Sequence, residues 1–299
     1  MKLRLTNKLG LPEPIVRAIE NDSYDAKGSH YTPTSLLKPP RMGELARTVG
    51  YEEDASDRIA ALHGQAMHTV LERAAKGLRD SGFIVEERFT QPFTVDGNEY
   101  NVSAQIDLYD EKNLILSDYK TALVSHVKYG LKDDHRLQLN LQAYLLRQAG
   151  FRVDKAEVVL FLKDWTPMRD YPGYPESATV KFEVPLMLGV DIVDWVESRI
   201  RLHEEAKVTL PLCTQEEKWN RPTYAVMKAT AMRATKVFDT KEEAEEFLKT
   251  KKPDEGYIIK ERGDNLRCKF YCPVRFVCQQ ARDEGSIVIQ DGDELKQVK

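Results

Sequence analysis

An acid and a lysine lie two positions apart inside an apolar stretch of the chain, LILSDYKTA (114–122). Side chains at positions i and i+2 of a β-strand point to the same face, so a strand here would place Asp118 and Lys120 side by side. Burying two charges costs free energy unless the charges pair or serve a site. The spacing therefore predicts either an ordinary ion pair on a surface hairpin or a site that uses a carboxylate and an ammonium together.

A second carboxylate strengthens the case for a site. Asp107 lies near the end of the preceding apolar run, and the short turn DEKN (110–113) would bring it opposite Asp118. Two carboxylates within a few ångströms repel each other unless a cation neutralises them, and a hard divalent ion such as Mg2+ or Mn2+ would do so. Such an ion polarises a phosphoryl oxygen and lowers the pKa of a bound water, while Lys120 would position that water or neutralise developing charge. Together the residues indicate phosphodiester hydrolysis.

A histidine on a predicted helix could complete the ligand set. The segment 57–76 has helical spacing, and its apolar stripe consists of Ile59, Leu62, Ala66, Val70 and Leu71. Gly64 and His68 are one turn apart, so the missing side chain at Gly64 would let the helix approach the strands closely. A nitrogen ligand favours Mn2+. Glu72, one turn further along the helix, could bind a second ion or could hold a ligand of the first ion in place. The alternative is a packed His68 and a solvated Glu72.

The order of predicted elements is helix, three antiparallel strands, helix, strand. Two strands (83–95 and 99–110) flank the hairpin signal DGN, and the third is the strand of the opening stretch. The segment 135–150 is predicted to form a helix that ends at Gly150, followed by a strand at 156–165. This is an α/β class with a mixed sheet. Another helix is expected at 188–206.

The C-terminal third carries a different pattern. Two strand-like runs, a helix with a capping-box pattern from Thr240 to Glu243 and a further strand predict a ββαβ insert at about 220–264. The segment 218–236 holds five lysines or arginines and no acid, which fits DNA guidance and fits an ordinary solvated face equally well. The first 50 residues read as an irregular arm with a possible helix start at Thr34 or Ser35.

The chain has four cysteines, and all of them lie in its C-terminal part: Cys213, Cys268, Cys272 and Cys278. In a reducing cytosol such clustering favours a metal site over disulfides. Four thiolates satisfy a tetrahedral zinc ion or a 4Fe-4S cluster, and the spacing C-x3-C-x5-C lacks the tight C-x2-C pair that zinc usually prefers. Free thiols are the third alternative. A cluster would hold the ends of the insert together structurally.

The composition limits the classes of protein to which the chain could belong. With 299 residues, of which 41% are hydrophobic and 31% charged, the chain is expected to be soluble and globular. The sequence has no signal-peptide pattern and no apolar stretch near the roughly 18 residues of a membrane span, so a cytoplasmic location is expected. A net charge of -4 gives no global basic field. The expected domains are a core with its arm (1–210), a cysteine region (211–282) and a flexible tail (283–299).

The GxxxH helix, Asp107, the DYKT strand and the glutamine-bearing helix, in that order, resemble the PD-(D/E)XK nuclease superfamily, specifically its RecB-type branch. The resemblance covers residues 31–282 and implies a restriction-endonuclease-like αβββαβ core. It implies that Lys120 is catalytic. It also implies a set of metal ligands: His68, Asp107, Asp118 and the backbone carbonyl of Tyr119.

The Gln-x-x-x-Tyr helix of the family is matched imperfectly. Gln138 fits and would contact the catalytic lysine or DNA, but Gln142 stands four residues later and the nearest tyrosine is Tyr144. RecB-type nucleases such as AddB and those of CRISPR adaptation often carry a 4Fe-4S cluster on one remote and three close cysteines. Here the close set has x3 where x2 is commoner, and the remote cysteine follows the nuclease motifs instead of preceding them.

The resemblance implies a metal-dependent deoxyribonuclease, most simply an exonuclease acting on single strands or duplex ends in recombination or repair. A lone nuclease without helicase motifs is similar to proteins of phages or mobile elements, which could work with a separate annealing protein or helicase. The alternatives are an endonuclease or nickase with the same site, a catalytically silent DNA-binding scaffold, and a zinc-ribbon interaction module on an inert domain.

Overall fold

The computed structural model describes residues 3–21, 27–220, 222–252 and 255–287, so most of the predicted tail lies outside the described residues. The helices are α1 (Glu13–Glu20), α2 (Pro33–Leu37), α3 (Pro40–Thr48), α4 (Ile59–Ala75), α5 (Val124–Val127), α6 (Asp133–Gln148), α7 (Gly189–Val208), α8 (Lys241–Lys249) and α9 (Gln279–Asp283). The strands are β1 (Arg4–Thr6), β2 (Glu52–Asp54), β3 (Phe83–Val95), β4 (Asn98–Asp110), β5 (Ile115–Ala122), β6 (Lys155–Leu162), β7 (Thr179–Glu183), β8 (Thr223–Lys228), β9 (Lys236–Phe238) and β10 (Tyr257–Arg262).

The chain divides into two compact units. The sheet unit comprises Leu5–Lys38 and Glu53–Thr209, and the cysteine unit comprises Met1–Arg4, Pro39–Glu52 and Leu210–Lys299. The boundary between Thr209 and Leu210 falls near the expected boundary after residue 210. Residues 39–52, which were expected in the core, belong to the cysteine unit instead. The reason is packing: Leu45 of α3 lies in the same apolar cluster as Cys272 and Cys278.

The sheet unit is built on a five-stranded mixed sheet in the order β3-β4-β5-β6-β7. Asp96 and Gly97 both have positive φ angles, as the two-residue turn of a tight hairpin requires, and they join β3 to β4. β4 and β5 are antiparallel, whereas β5 and β6 are parallel because α6 crosses between them. The predicted mixed α/β class and the αβββαβ order, here α4-β3-β4-β5-α6-β6, are confirmed.

Helix α6 positions the sheet by burying apolar side chains in two clusters. Leu139, Ala143 and Leu146 join the cluster that contains Leu116 of β5, and all four side chains are almost fully buried. Leu141 and Leu145 join a second cluster, in which α7 contributes Ile192, Val196 and Ile200. The sequence of α6 is apolar on more than one face because two layers pack against it.

The cysteine unit contains the predicted ββαβ module, which is confirmed. Its sheet has the order β10-β8-β9, with both neighbours antiparallel to β8. The Thr240 hydroxyl accepts a hydrogen bond from the Glu243 backbone N–H at 3.3 Å and begins α8. The cysteine segment follows β10 directly.

Three local features differ from what the sequence led us to expect. The first 50 residues are not irregular, since α1, α2 and α3 lie there, and α2 begins at a capping box formed by Thr32 and Ser35. The apolar stripe of α4 is only partly covered, because Ala66 and Val70 are exposed. The edge strand β7 was not predicted; it alternates exposed and half-buried positions over only five residues. In the described part of the chain, every helix is too short or too polar to cross a lipid bilayer.

Candidate active site

The hairpin of β3 and β4 sets two carboxylates opposite each other. Its register pairs Val85 with Leu108 and Glu87 with Ile106, so Glu86 and Asp107 face each other on one side of the sheet. Glu86 has a φ of 49°, in the left-handed region, which costs a non-glycine residue of the order of 1–2 kcal/mol. The Glu86 carboxylate accepts a hydrogen bond from Gln105 Nε2 at 2.5 Å, which fixes its direction.

Asp107 reaches the central strand where β4 and β5 separate. The two strands pair from Leu108 with Ser117 to Asp110 with Ile115, and extending that register brings Asp107 to Asp118. The Asp107 Oδ2 atom accepts a hydrogen bond from the Tyr119 backbone N–H at 2.9 Å. The Asp107 side chain therefore accepts the hydrogen bond that a backbone carbonyl of a paired strand would otherwise accept from Tyr119.

Helix α4 brings His68 to these carboxylates. Its Nδ1 atom lies 3.7 Å from Glu86 Oε1 and 3.7 Å from Asp107 Oδ2. Its Nε2 atom lies 3.2 Å from the Tyr119 carbonyl oxygen. A carbonyl only accepts, so Nε2 carries a proton and donates, and Nδ1 is the ring nitrogen that faces the two acids.

The predicted role of the Tyr119 carbonyl as a metal ligand therefore takes another form: this carbonyl holds the imidazole of His68. The ligand atoms of His68, Glu86 and Asp107 all lie within 4.8 Å of one another, a spacing from which small shifts could close them around one ion. A donor set of one imidazole nitrogen and two carboxylates suits Mn2+ or Mg2+.

Asp118 and Lys120 form the pair that the DYK spacing predicts. Lys120 Nζ lies 2.6 Å from Asp118 Oδ2, and Gln138 Nε2 donates to Asp118 Oδ1 at 2.9 Å. The Asp118 side chain is 3% exposed and that of Lys120 is 23% exposed. Gln138 thus contacts the acid beside the lysine. The Lys120 side chain is only partly exposed.

The site carries excess negative charge. Burial raises the pKa of Asp107 to about 7, and the neighbouring Asp118 adds to this rise. Burial lowers the pKa of Lys120, but Asp118 and Asp107 outweigh it and raise the pKa above its usual value. The Glu86 carboxylate raises the pKa of His68. Three carboxylates, Glu86, Asp107 and Asp118, thus lie near two basic groups, His68 and Lys120, and a divalent cation would offset the excess negative charge.

Other residues singled out from the sequence lie outside this group. Glu72 follows one turn after His68 on α4 and is not among the ligand atoms within 4.8 Å. Gln142 Nε2 donates to the Gln105 carbonyl at 2.9 Å, and Tyr144 packs against Phe93. Gly64 faces β5, where a Cβ would meet Thr121 Oγ1 at 3.9 Å, an ordinary contact, so the approach of the helix to the strand does not require a glycine.

Glu86 was missed from the sequence, although the hairpin contains the signal that identifies it. A two-residue turn at Asp96 and Gly97 fixes the register, and counting back from the turn pairs position 86 with position 107. His135 was also missed. It lies one turn before Gln138 on α6, and burial, with the nearby Lys120, lowers its pKa to about 4.

The four cysteines, in the cysteine unit, are free thiols in one neighbourhood. Buried Arg41 donates from Nε to Cys278 Sγ at 3.2 Å and from a terminal nitrogen to the Pro211 carbonyl at 3.1 Å. Gln280 bonds to both the N–H and the carbonyl of Cys213, at 2.8 and 3.0 Å. Two side chains thus tie the remote cysteine segment to the terminal one.

The spacing of the thiols bears on the group they could hold. Burial raises the pKa of Cys213 to about 12 and that of Cys272 to about 11, so binding a metal would release protons. Thiolates around one zinc ion stand about 3.8 Å apart. Among the described residues, no three thiols lie mutually within 4.8 Å. The choice between zinc and a 4Fe-4S cluster therefore stays a prediction.

Comparisons with known proteins add little. No protein-family model and no curated protein matches the chain. A solved structure titled "Crystal structure of SSO0001" is similar at 20% sequence identity, with a TM-score of 0.44, over 63% of this chain and 84% of that one. A likeness this distant says nothing about activity.

Proposed function

We propose that the chain is a divalent-metal-dependent deoxyribonuclease that hydrolyses phosphodiester bonds. The observation that carries the proposal is the convergence of Asp107, Asp118 and Lys120 where β4 and β5 separate, with His68 and Glu86 beside them. A bound Mg2+ or Mn2+ would polarise the phosphoryl group and lower the pKa of a bound water. His68, Glu86 and Asp107 would hold the ion, with Asp118 at the edge of the site.

The chain's own residues have distinct roles in this proposal. Lys120 has a raised pKa and stays protonated, so it donates to the attacking water or to the phosphoryl oxygens as charge develops there. Gln138 keeps the Asp118 carboxylate directed toward Lys120. The Tyr119 backbone holds Asp107 through its N–H and His68 through its carbonyl. One strand segment thereby fixes four functional groups.

We further propose digestion of single strands or duplex ends, by resemblance alone. One observation favours a silent scaffold instead: Asp118 is already neutralised by Lys120 at 2.6 Å and needs no metal for that. The ligand atoms of His68, Glu86 and Asp107, gathered within 4.8 Å, weigh against the scaffold, because one imidazole and two carboxylates form a set that can hold a divalent ion.

The experiment is cleavage of end-labelled linear and circular single-stranded DNA with Mg2+, Mn2+ or EDTA. Wild type is compared with Lys120→Met and Asp118→Asn, and with Lys181→Met as the matched control, since Lys181 makes a similar 3.0 Å pair with Glu157 on the same sheet. Metal-dependent loss of linear DNA alone, in wild type and the control only, supports the exonuclease. Cleavage of circles supports the endonuclease. DNA binding without cleavage in any metal contradicts the proposal.

For the cysteines we propose a structural 4Fe-4S cluster, with zinc as the alternative. The sequence spacing C-x3-C-x5-C, which lacks a C-x2-C pair, supports the cluster, and the buried Arg41 beside Cys278 would offset part of the negative charge of the thiolates. Protein purified without oxygen should be brown and contain iron and sulfide. Colourless protein with one zinc per chain would contradict the cluster.

A further inference from the structure

Three aromatic side chains lie together on the surface of the cysteine unit. Phe270 and Tyr271 are 64% and 67% exposed, and Trp219 is 38% exposed. The ring centroids of Trp219 and Tyr271 are 5.4 Å apart, and those of Phe270 and Tyr271 are 6.4 Å apart. Single exposed apolar residues are common, but contiguous exposed rings mark interaction sites. We call these three residues the aromatic patch.

The backbone holds the aromatic patch in place. The Arg267 N–H donates to the Lys218 carbonyl at 3.0 Å, which joins the insert's basic run to the cysteine segment. The Arg267 guanidinium lies over the Trp219 ring, 4.2 Å from its centroid. Trp219 has a φ of 55°, a strained conformation for a tryptophan, and its N–H donates to the Glu216 carbonyl at 2.9 Å. The rings are thus presented at fixed positions.

The segment that carries Phe270 and Tyr271 has an excess of positive charge, whereas Glu216 and Glu217 precede Trp219 in the sequence. This segment, 262–275, has four cations and one acid, namely Arg262, Arg267, Lys269 and Arg275 against Asp264. Asp264 pairs with Lys269. Arg275 donates to the Cys272 carbonyl at 3.2 Å, which holds its charge beside the segment. Flat rings between guanidinium groups suit a ligand with flat bases and a negative backbone.

We propose that the aromatic patch binds single-stranded nucleic acid by stacking bases on Phe270 and Tyr271 beside the Trp219 ring, with Arg267 and Arg275 near the phosphates. The proposal rests on the proposed nuclease function only for the choice of DNA as the ligand. Stacking is tolerant of sequence, because every base has a π face. Binding should therefore depend on strand state and salt.

The probe is an unstructured fluorescent oligothymidylate, added to the intact purified protein in EDTA so that no cleavage occurs. The test variant is the double substitution Phe270→Leu with Tyr271→Leu, which keeps apolar area and removes two π faces. Met232→Ser is the matched control, because Met232 is equally apolar, more exposed and part of the basic run. Metal content and thermal unfolding of each variant confirm that the unit is folded.

The double leucine variant should bind roughly 5- to 100-fold more weakly, and the control should bind as wild type does. Arg267→Gln should reduce the slope of log affinity against log salt by about 0.7. Oligothymidylate should quench tryptophan fluorescence in wild type, and the quenching should be reduced in Trp219→Phe.

Unchanged affinity in the folded double leucine variant would overturn the proposal. Absence of oligothymidylate binding by wild type would also overturn it, and would leave the aromatic patch as a surface for a protein partner. Failure of the nuclease proposal has a different signature: wild type would bind oligothymidylate through the patch and cleave no DNA in any metal.

Discussion

Glu86→Gln removes one negative charge from the candidate metal group while keeping the size of the side chain. The substituted amide retains an oxygen that can accept the hydrogen bond of Gln105, so the local contacts of β3 stay in place. The expected result is weaker binding of Mn2+, because Glu86 is one of three ligands gathered within 4.8 Å.

The magnitude follows from charge and distance. Glu86 Oε1 lies 3.7 Å from His68 Nδ1, the atom that faces the ion site. Two unit charges about 4 Å apart attract by about 4 kcal/mol at an effective dielectric constant of about 20, and a divalent ion doubles this. Dehydration of the carboxylate and a replacement water ligand offset most of that gain. The net loss should be about 10- to 100-fold in affinity, or about 1.4–2.7 kcal/mol.

The assay is titration of the metal-free protein with Mn2+, followed by the spectroscopic signal of free Mn2+, in the absence of DNA. Glu87→Gln is the matched control, since Glu87 is the next residue on β3, is exposed, and is not among the three ligand residues gathered within 4.8 Å. The reasoning is refuted if Glu86→Gln binds Mn2+ as tightly as wild type, or if both variants lose affinity equally.

Three further predictions concern cofactor content and stability. Arg41→Met should lower the iron content per chain several-fold, because it removes a buried positive charge and the N–H that donates to Cys278. Arg47→Met, on the same helix, is the control and should keep its iron. Equal losses of iron in the two variants would contradict a role of Arg41 in holding the cluster. Burial lowers the pKa of His203 to about 4. Between about pH 6.5 and 4 the unfolded state therefore binds a proton that the folded state does not, so the free energy of unfolding falls as the pH falls, by at most about 3 kcal/mol. Urea unfolding at pH 7 and pH 5 should therefore show a smaller pH dependence in His203→Gln, and an unchanged dependence would contradict the assignment. Leu139→Ala should cost about 2–5 kcal/mol in urea unfolding, because that side chain is fully buried; a loss below about 1 kcal/mol would mean that α6 packs differently.

The parts of the fold that local pattern determines were predictable. The hairpin at Asp96 and Gly97, the strand that carries Asp118, and the helix that carries Gln138 each follow from turn chemistry or periodicity within a short window. The DYK spacing likewise predicts the contact between Lys120 and Asp118, since i and i+2 share a strand face. These features depend on neighbours in sequence.

The features that were missed depend on residues far apart in the chain. Leu45 packs with Cys278, which no periodicity in α3 indicates, so residues 39–52 could not be assigned to the cysteine unit. The contact of Arg41 with Cys278 is of the same kind. Glu86 was predictable only in part. Its position opposite Asp107 follows from the hairpin register, but its left-handed backbone conformation does not. The short strand β7 needs β6 beside it to be recognised.

The measurement that tests the central claim most directly is a Mn2+ titration of DNA cleavage and of Mn2+ binding on the same preparation. If His68, Glu86 and Asp107 hold the ion used in cleavage, the two half-saturating concentrations agree in wild type and rise together in Glu86→Gln. Cleavage whose metal dependence does not move with binding, or that persists in the metal-free protein, would contradict the claim.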